Sequence, residues 1–124
     1  MKIYGIILSL LFVVPVAAYA ADNNGNHAIW GAGNKACISY TKAREADDYN
    51  AFKNYLMGFL TAYNILTPET YRLSGNMNMN EILIWFDDYC ELKAVNSFEQ
   101  AVIDFAVEHH ENRVKRSSTR SRSR

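Results

Sequence analysis

Cysteine is nearly absent from this chain: its 124 residues hold two, Cys37 and Cys90. They lie 53 positions apart. That spacing excludes a CxxC redox motif, and the close partners that metal ligation needs are missing. In an oxidising compartment a lone pair reads most simply as one disulfide. It would close most of the chain's middle into one loop, worth about 4 kcal/mol in the chain-entropy account. Catalytic signatures are missing too. The sequence has no GxSxG, HExxH, P-loop or dinucleotide fingerprint. No run alternates apolar and polar residues over enough length to argue for a sheet.

Acid is the next absence. Residues 113–124 carry six Lys/Arg and no Asp or Glu, a net of +6. Residues 21–112 carry six Lys/Arg against thirteen Asp/Glu, a net of −7, so the formal neutrality of the chain hides two opposite poles. Val114 is the only aliphatic residue of the tail. Such a segment cannot bury enough apolar surface to offset its ordering entropy, so residues 113–124 are expected to be disordered. Their charge suits a solvated tail or weak contact with an anionic surface. Nucleic acid is not an expected partner of an exported protein.

Export is the reading of the first twenty residues. Met1-Lys2 is a short positive start, Ile3 to Val16 is mostly apolar, and Ala18-Tyr19-Ala20 places small residues at positions −3 and −1 of a cleavage site. This is the pattern of a secretory signal peptide cleaved after Ala20. The apolar run falls short of the ~20 residues of a membrane span. The expected location is therefore periplasmic or secreted. The expected organisation is a signal peptide over 1–20, a flexible lead-in over 21–35, a helical domain over 36–112 and a disordered basic tail over 113–124. Within the lead-in, Trp30 is expected to fold back onto the domain, because a wet Trp forfeits a large apolar burial.

Four segments read as helices. Cys37 to Arg44 has helical apolar spacing and no breaker. Tyr49, Phe52, Leu56, Phe59, Leu60 and Tyr63 step along one helix face, with Asp47-Asp48 at its start where acids favour the helix dipole. Gly58 lies inside that helix at a cost of about 1 kcal/mol against alanine, which suggests close approach of another helix. Thr67-Pro68-Glu69 is a helix-start or turn signal. Asn80 can cap a third helix carrying Ile82, Trp85, Phe86, Tyr89 and Cys90. Ser97 and Gln100 form a capping box for a fourth, whose apolar face is Phe98, Ala101, Val102, Phe105 and Ala106. The expected fold is all-α, a small bundle of about four helices cross-linked by one disulfide.

Together these residues form a pattern: Cys37-x-x-Tyr40-x-x-x-Arg44, Gly58-x-x-x-x-Tyr63-Asn64, Leu73-Ser74, Trp85-Phe86-Asp87-x-Tyr89-Cys90 and Phe98-x-x-Ala101. It resembles small exported bacterial helical proteins with two cysteines, grouped loosely with the HdeA/HdeB acid-stress chaperones. The resemblance covers residues 37 to about 108. It implies a periplasmic helical fold with the disulfide joining the first helix to the third. One departure is Ala94, where look-alikes commonly carry a proline. Small exported helical proteins of this build also include immunity proteins that block cell-wall amidases.

Several groups were candidates for chemistry. His109-His110 with Glu108 and Glu111 suggests metal, but consecutive histidines leave a helix on different sides, and solvated residues at a fraying helix end fit better. Glu81, Asp87, Asp88 and Glu91 make an acidic face; paired carboxylates serve glycoside hydrolysis only across a suitable cleft, and a solvated face is the plainer reading. Asp87 is singled out as a partner for Arg44. The motif residues Arg44, Gly58, Trp85, Asp87 and Tyr89 are thus read as structural. Neither a catalytic site, a metal nor a cofactor is expected. The high aromatic load leaves room for an exposed tyrosine patch suited to protein binding. The expected function is non-catalytic protein binding, HdeA/HdeB-like, as a stress chaperone. The alternative is an immunity or inhibitor protein against a cell-wall-degrading effector, and a carboxylate-based hydrolase is a distant third.

Overall fold

The computed structural model describes residues 21–118. The expected signal peptide and the last six residues of the basic tail lie outside the described residues. Four helices make up the body: α1 (Cys37–Glu45), α2 (Asn50–Leu66), α3 (Met79–Leu92) and α4 (Phe98–His109). Short 3-10 turns cover Gly31–Asn34 and His110–Asn112. Among the described residues there are no strands, only two isolated bridges, Ala36 with Ser97 and Arg72 with Val114. The fold is the all-α bundle with one disulfide, Cys37 to Cys90, joining α1 to α3 across a Cα–Cα distance of 4.9 Å.

Aromatic rings fill the centre. Phe98 stacks on Tyr40 at 5.1 Å and meets Phe52 edge-on at 5.0 Å and Phe86 at 5.3 Å, so one ring ties α4 to the other three helices. Tyr40, Phe86, Phe98 and Phe105 are fully buried, each worth about 1.5–3 kcal/mol in area removed from water.

Helix starts follow local chemistry. For α4, the Gln100 N–H donates to Ser97 Oγ at 3.0 Å, while the Gln100 side chain turns to Asp104 instead of closing the box. The third helix starts earlier than expected. Asn78, not Asn80, caps it, because only Asn78 has a glutamate three residues on: Glu81 N–H donates to Asn78 Oδ1 at 3.0 Å and Asn78 N–H to Glu81 Oε2 at 2.7 Å. No side chain caps α1. The α3–α4 connection does so with its backbone: Cys37 N–H donates to Asn96 O at 2.7 Å and Ile38 N–H to Ala94 O at 2.9 Å. In return Phe98 N–H donates to Lys35 O at 2.7 Å.

Asp47-Asp48 do not sit in the first turn of α2. They end α1: their N–H groups donate to Arg44 O at 3.1 Å and Ala43 O at 2.9 Å, and Asp47 takes the left-handed backbone (φ 52°) that closes a helix. Gly58 approaches no other helix. It is exposed, with open space where a Cβ would stand. The close approach is at Gly33 instead, where a Cβ would run into the Tyr55 ring. The lead-in is accordingly packed at its second half, with Ala32 and Gly33 buried. Trp30 does not fold away: Gly31, at φ 66°, turns the chain inward just after it and leaves its ring 81% exposed. At the other end, Tyr71 and Arg72 N–H both donate to Val114 O, at 2.8 and 3.0 Å, and Val114 N–H returns to Arg72 O at 2.9 Å. Backbone pairing therefore runs two residues beyond 112, because the Tyr71–Arg72 segment offers Val114 backbone partners.

Candidate functional site

The Trp85–Cys90 motif ties α3 to both α1 and α4. Trp85 stacks on Tyr89 at 5.2 Å and meets Phe105 of α4 edge-on at 5.1 Å. Tyr89 hydroxyl donates to Asp104 Oδ2 of α4 at 2.6 Å and accepts from Asn96 Nδ2 at 3.0 Å. Burial, and then that acceptor, push its pKa above the ordinary tyrosine value. Cys90 bonds to α1, and so does Asp87. Arg44 donates from Nε to Asp87 Oδ1 and from Nη2 to Oδ2, each at 2.8 Å. Tyr40 hydroxyl lies 2.8 Å from Asp87 Oδ1 and 3.1 Å from Leu83 O; the charged oxygen is the nearer and stronger acceptor. Burial and that carboxylate raise the Tyr40 pKa, and the same carboxylate raises that of Arg44. Arg44 also lies over the Tyr49 ring at 4.5 Å.

Both Asp87 oxygens are thus committed to donors, which unsuits it to general acid work. Glu81 serves the α3 cap, while Asp88 and Glu91 are exposed. Arg44, Asp87 and Glu91 border an open groove of about 550 Å³ with Thr41 and Glu45. The histidines are not solvated at a frayed end. His109 stacks on Phe105 at 4.1 Å, and His110 Nδ1 is 2.5 Å from the Tyr63 hydroxyl. Among the described residues, no group of three or more His, Cys, Asp and Glu is placed to hold a metal ion.

The surface that stands out lies between α2 and α4. Phe59, half-buried, borders three adjoining hollows. One, of about 480 Å³, is shared with Tyr63, Ile103, Val107 and His110. A second, of about 570 Å³, is shared with Trp30, Tyr55, Ile103 and Glu99. A third, of about 420 Å³, reaches Trp30 and Gly58 along α2. Polar contacts hold both ends: Tyr63 to His110, and His27 Nε2 to Glu99 Oε1 at 2.6 Å. The lead-in, stitched to α4 through Lys35 and Phe98, carries Trp30 to the rim. Glu99, paired with His27, and Glu111 complete the lining.

This face was foreshadowed only as surplus aromatics. The apolar stripe on α2 is wider than one core contact needs, and its excess, Phe59 and Tyr63, lines the groove. Nothing in residue spacing places His27 or Trp30 beside α4. No family model, curated protein or solved structure matches the chain.

Proposed function

We propose that this is an exported, non-catalytic protein-binding protein that inhibits an effector enzyme through a preformed face, the α2–α4 groove crowned by Trp30. The observation that carries this reading is Phe59 joining three hollows beside a Trp that is 81% exposed in the folded state. Exposed aromatics next to apolar hollows are the usual anchors of protein interfaces. The Cys37–Cys90 disulfide supports an oxidising compartment. Titration calorimetry of the folded protein against exported enzymes encoded beside its gene tests the reading. Trp30→Ala should weaken a measured complex at least ~10-fold with unchanged circular dichroism. An unaltered affinity would sink it.

One arrangement favours a second reading, an acid-stress chaperone resembling HdeA/HdeB. The α1–α3 contact leans on the Arg44–Asp87 pair and the Tyr40 hydroxyl beside it, and this reading needs that contact to fail in acid. Loosened helices would then offer their aromatic faces to clients. Aggregation suppression at about pH 3 but not pH 7 marks this activity; an inhibitor shows it at neither.

A further inference from the structure

A second surface lies at the C-terminal end of α2, beyond the Tyr63–His110 contact that ends the groove. The helix finishes in Ile65 and Leu66, 75% and 79% exposed. After the Thr67–Thr70 turn comes Tyr71, half-exposed, with the Arg72 guanidinium 5.5 Å from its ring centre. The Arg72–Val114 bridge roots the C-terminal segment at this same place. Arg113 is held there by Thr70 Oγ1 at 2.9 Å and His110 O at 2.7 Å. Lys115 and Arg116 follow at once, both exposed. Exposed aliphatic side chains, an amphipathic aromatic and a basic cluster therefore share one pole. Glu69 and Glu111 are the acids of these turns; against them stand Arg72, Arg113, Lys115 and Arg116, and three further arginines continue the chain.

We propose that this pole docks on an anionic lipid surface, with Ile65, Leu66 and Tyr71 entering the headgroup region and the basic cluster meeting lipid phosphates. Charge complementarity supports this occupant: the pole is positive, whereas residues 21–112 taken together carry a net of −7, so an anionic surface favours this end over the rest of the body. The two aliphatics choose lipid over other polyanions. A cell-wall polymer or a nucleic acid would use the arginines and leave Ile65 and Leu66 in water. A bilayer gives them somewhere to go. The Val114 bridge adds register, because it holds the first tail charges beside the apolar tip.

Co-sedimentation of the purified protein with phosphatidylglycerol or phosphatidylcholine vesicles, at low and high salt, tests the site. Binding should need the anionic lipid and weaken with salt. Lys115→Gln/Arg116→Gln should lower the partition coefficient roughly 25-fold, about five-fold per charge. Ile65→Ser/Leu66→Ser should lower it at least ~10-fold. A second readout is independent of those surface changes: Leu66→Trp in vesicles with brominated acyl chains should show quenching beyond that of the unsubstituted protein. Equal binding to both lipids, or no added quenching, would overturn the proposal. So would charge-dependent binding that the Ile65/Leu66 pair does not affect, which would mark a polyanion contact.

Discussion

Arg44 and Asp87, 43 residues apart, meet through two parallel hydrogen bonds of 2.8 Å, a fork-to-fork geometry that leaves the carboxylate no free oxygen. Their side chains are 22% and 36% exposed, so solvent screens the pair in part. We expect Arg44→Ala and Asp87→Ala each to destabilise the protein by about 1–3 kcal/mol, below the full cost of a buried pair. A double-mutant cycle in urea should return a coupling of roughly 1 kcal/mol or more. Coupling near zero would mean that Tyr40 alone holds Asp87.

Alkali should find a different weakness. Tyr40, Tyr55 and Tyr89 all have pKa values raised above the ordinary 10.0, first of all by burial. The folded state keeps protons on these hydroxyls that the unfolded chain gives up near 10. Their contribution to stability is therefore complete below about pH 10 and declines as pH rises beyond it. Melting temperature should fall as pH rises beyond about 10, where the unfolded chain begins to give up these protons. Tyr40→Phe should flatten the dependence. A melting temperature constant over that range would contradict the assignment.

What was legible in the sequence was what single elements dictate. The stripe from Tyr49 to Tyr63 specifies α2, Ser97 starts α4, and the lone cysteine pair meets in a disulfide. Motif position alone joined Arg44 to Asp87. Errors arose where two elements decide together. Asp47 and Asp48 look like helix-start acids, yet the left-handed turn after α1 claims them. Trp30 looks like a residue to bury, yet Gly31 turns the backbone, not the ring, toward the core. Much of the groove was hidden for the same reason: two of its three hollows need Trp30 of the lead-in, which is tied beside α4 by the Phe98–Lys35 backbone bond and the distant His27–Glu99 pair.

The two glycines separate helix propensity from packing. Gly58 is mid-helix with open space at its Cβ position, so Gly58→Ala should stabilise the protein by up to about 1 kcal/mol. Gly33→Ala would place its methyl within the ring of Tyr55, whose far end must swing aside. That ring also packs 6.0 Å from Phe98, so we expect a loss of about 1–2 kcal/mol. Thermal melts of the two variants should move in opposite directions. If both rise, Tyr55 moves without cost and the packing of the lead-in is looser than the contacts imply.

Two truncations measure what the root of the basic segment contributes. Ending the chain after Arg116 leaves the Arg72–Val114 bridge and the Arg113 bonds to Thr70 and His110 in place. Ending it after Asn112 removes three backbone hydrogen bonds to Tyr71 and Arg72 and both side-chain bonds of Arg113. Each is worth about 0.5–1.5 kcal/mol net, less where water replaces the lost partner. The shorter chain should therefore be less stable than the longer by about 1–3 kcal/mol, several degrees in melting temperature for a domain of this size. Amide exchange should localise the loss to Tyr71 and Arg72, whose N–H groups lose their acceptor. Salt separates this from long-range attraction between the basic segment and the acidic body. A deficit set by hydrogen bonds persists at 1 M salt, where the Debye length is about 3 Å. A deficit that vanishes there would show that charge, not the bridge, holds the segment.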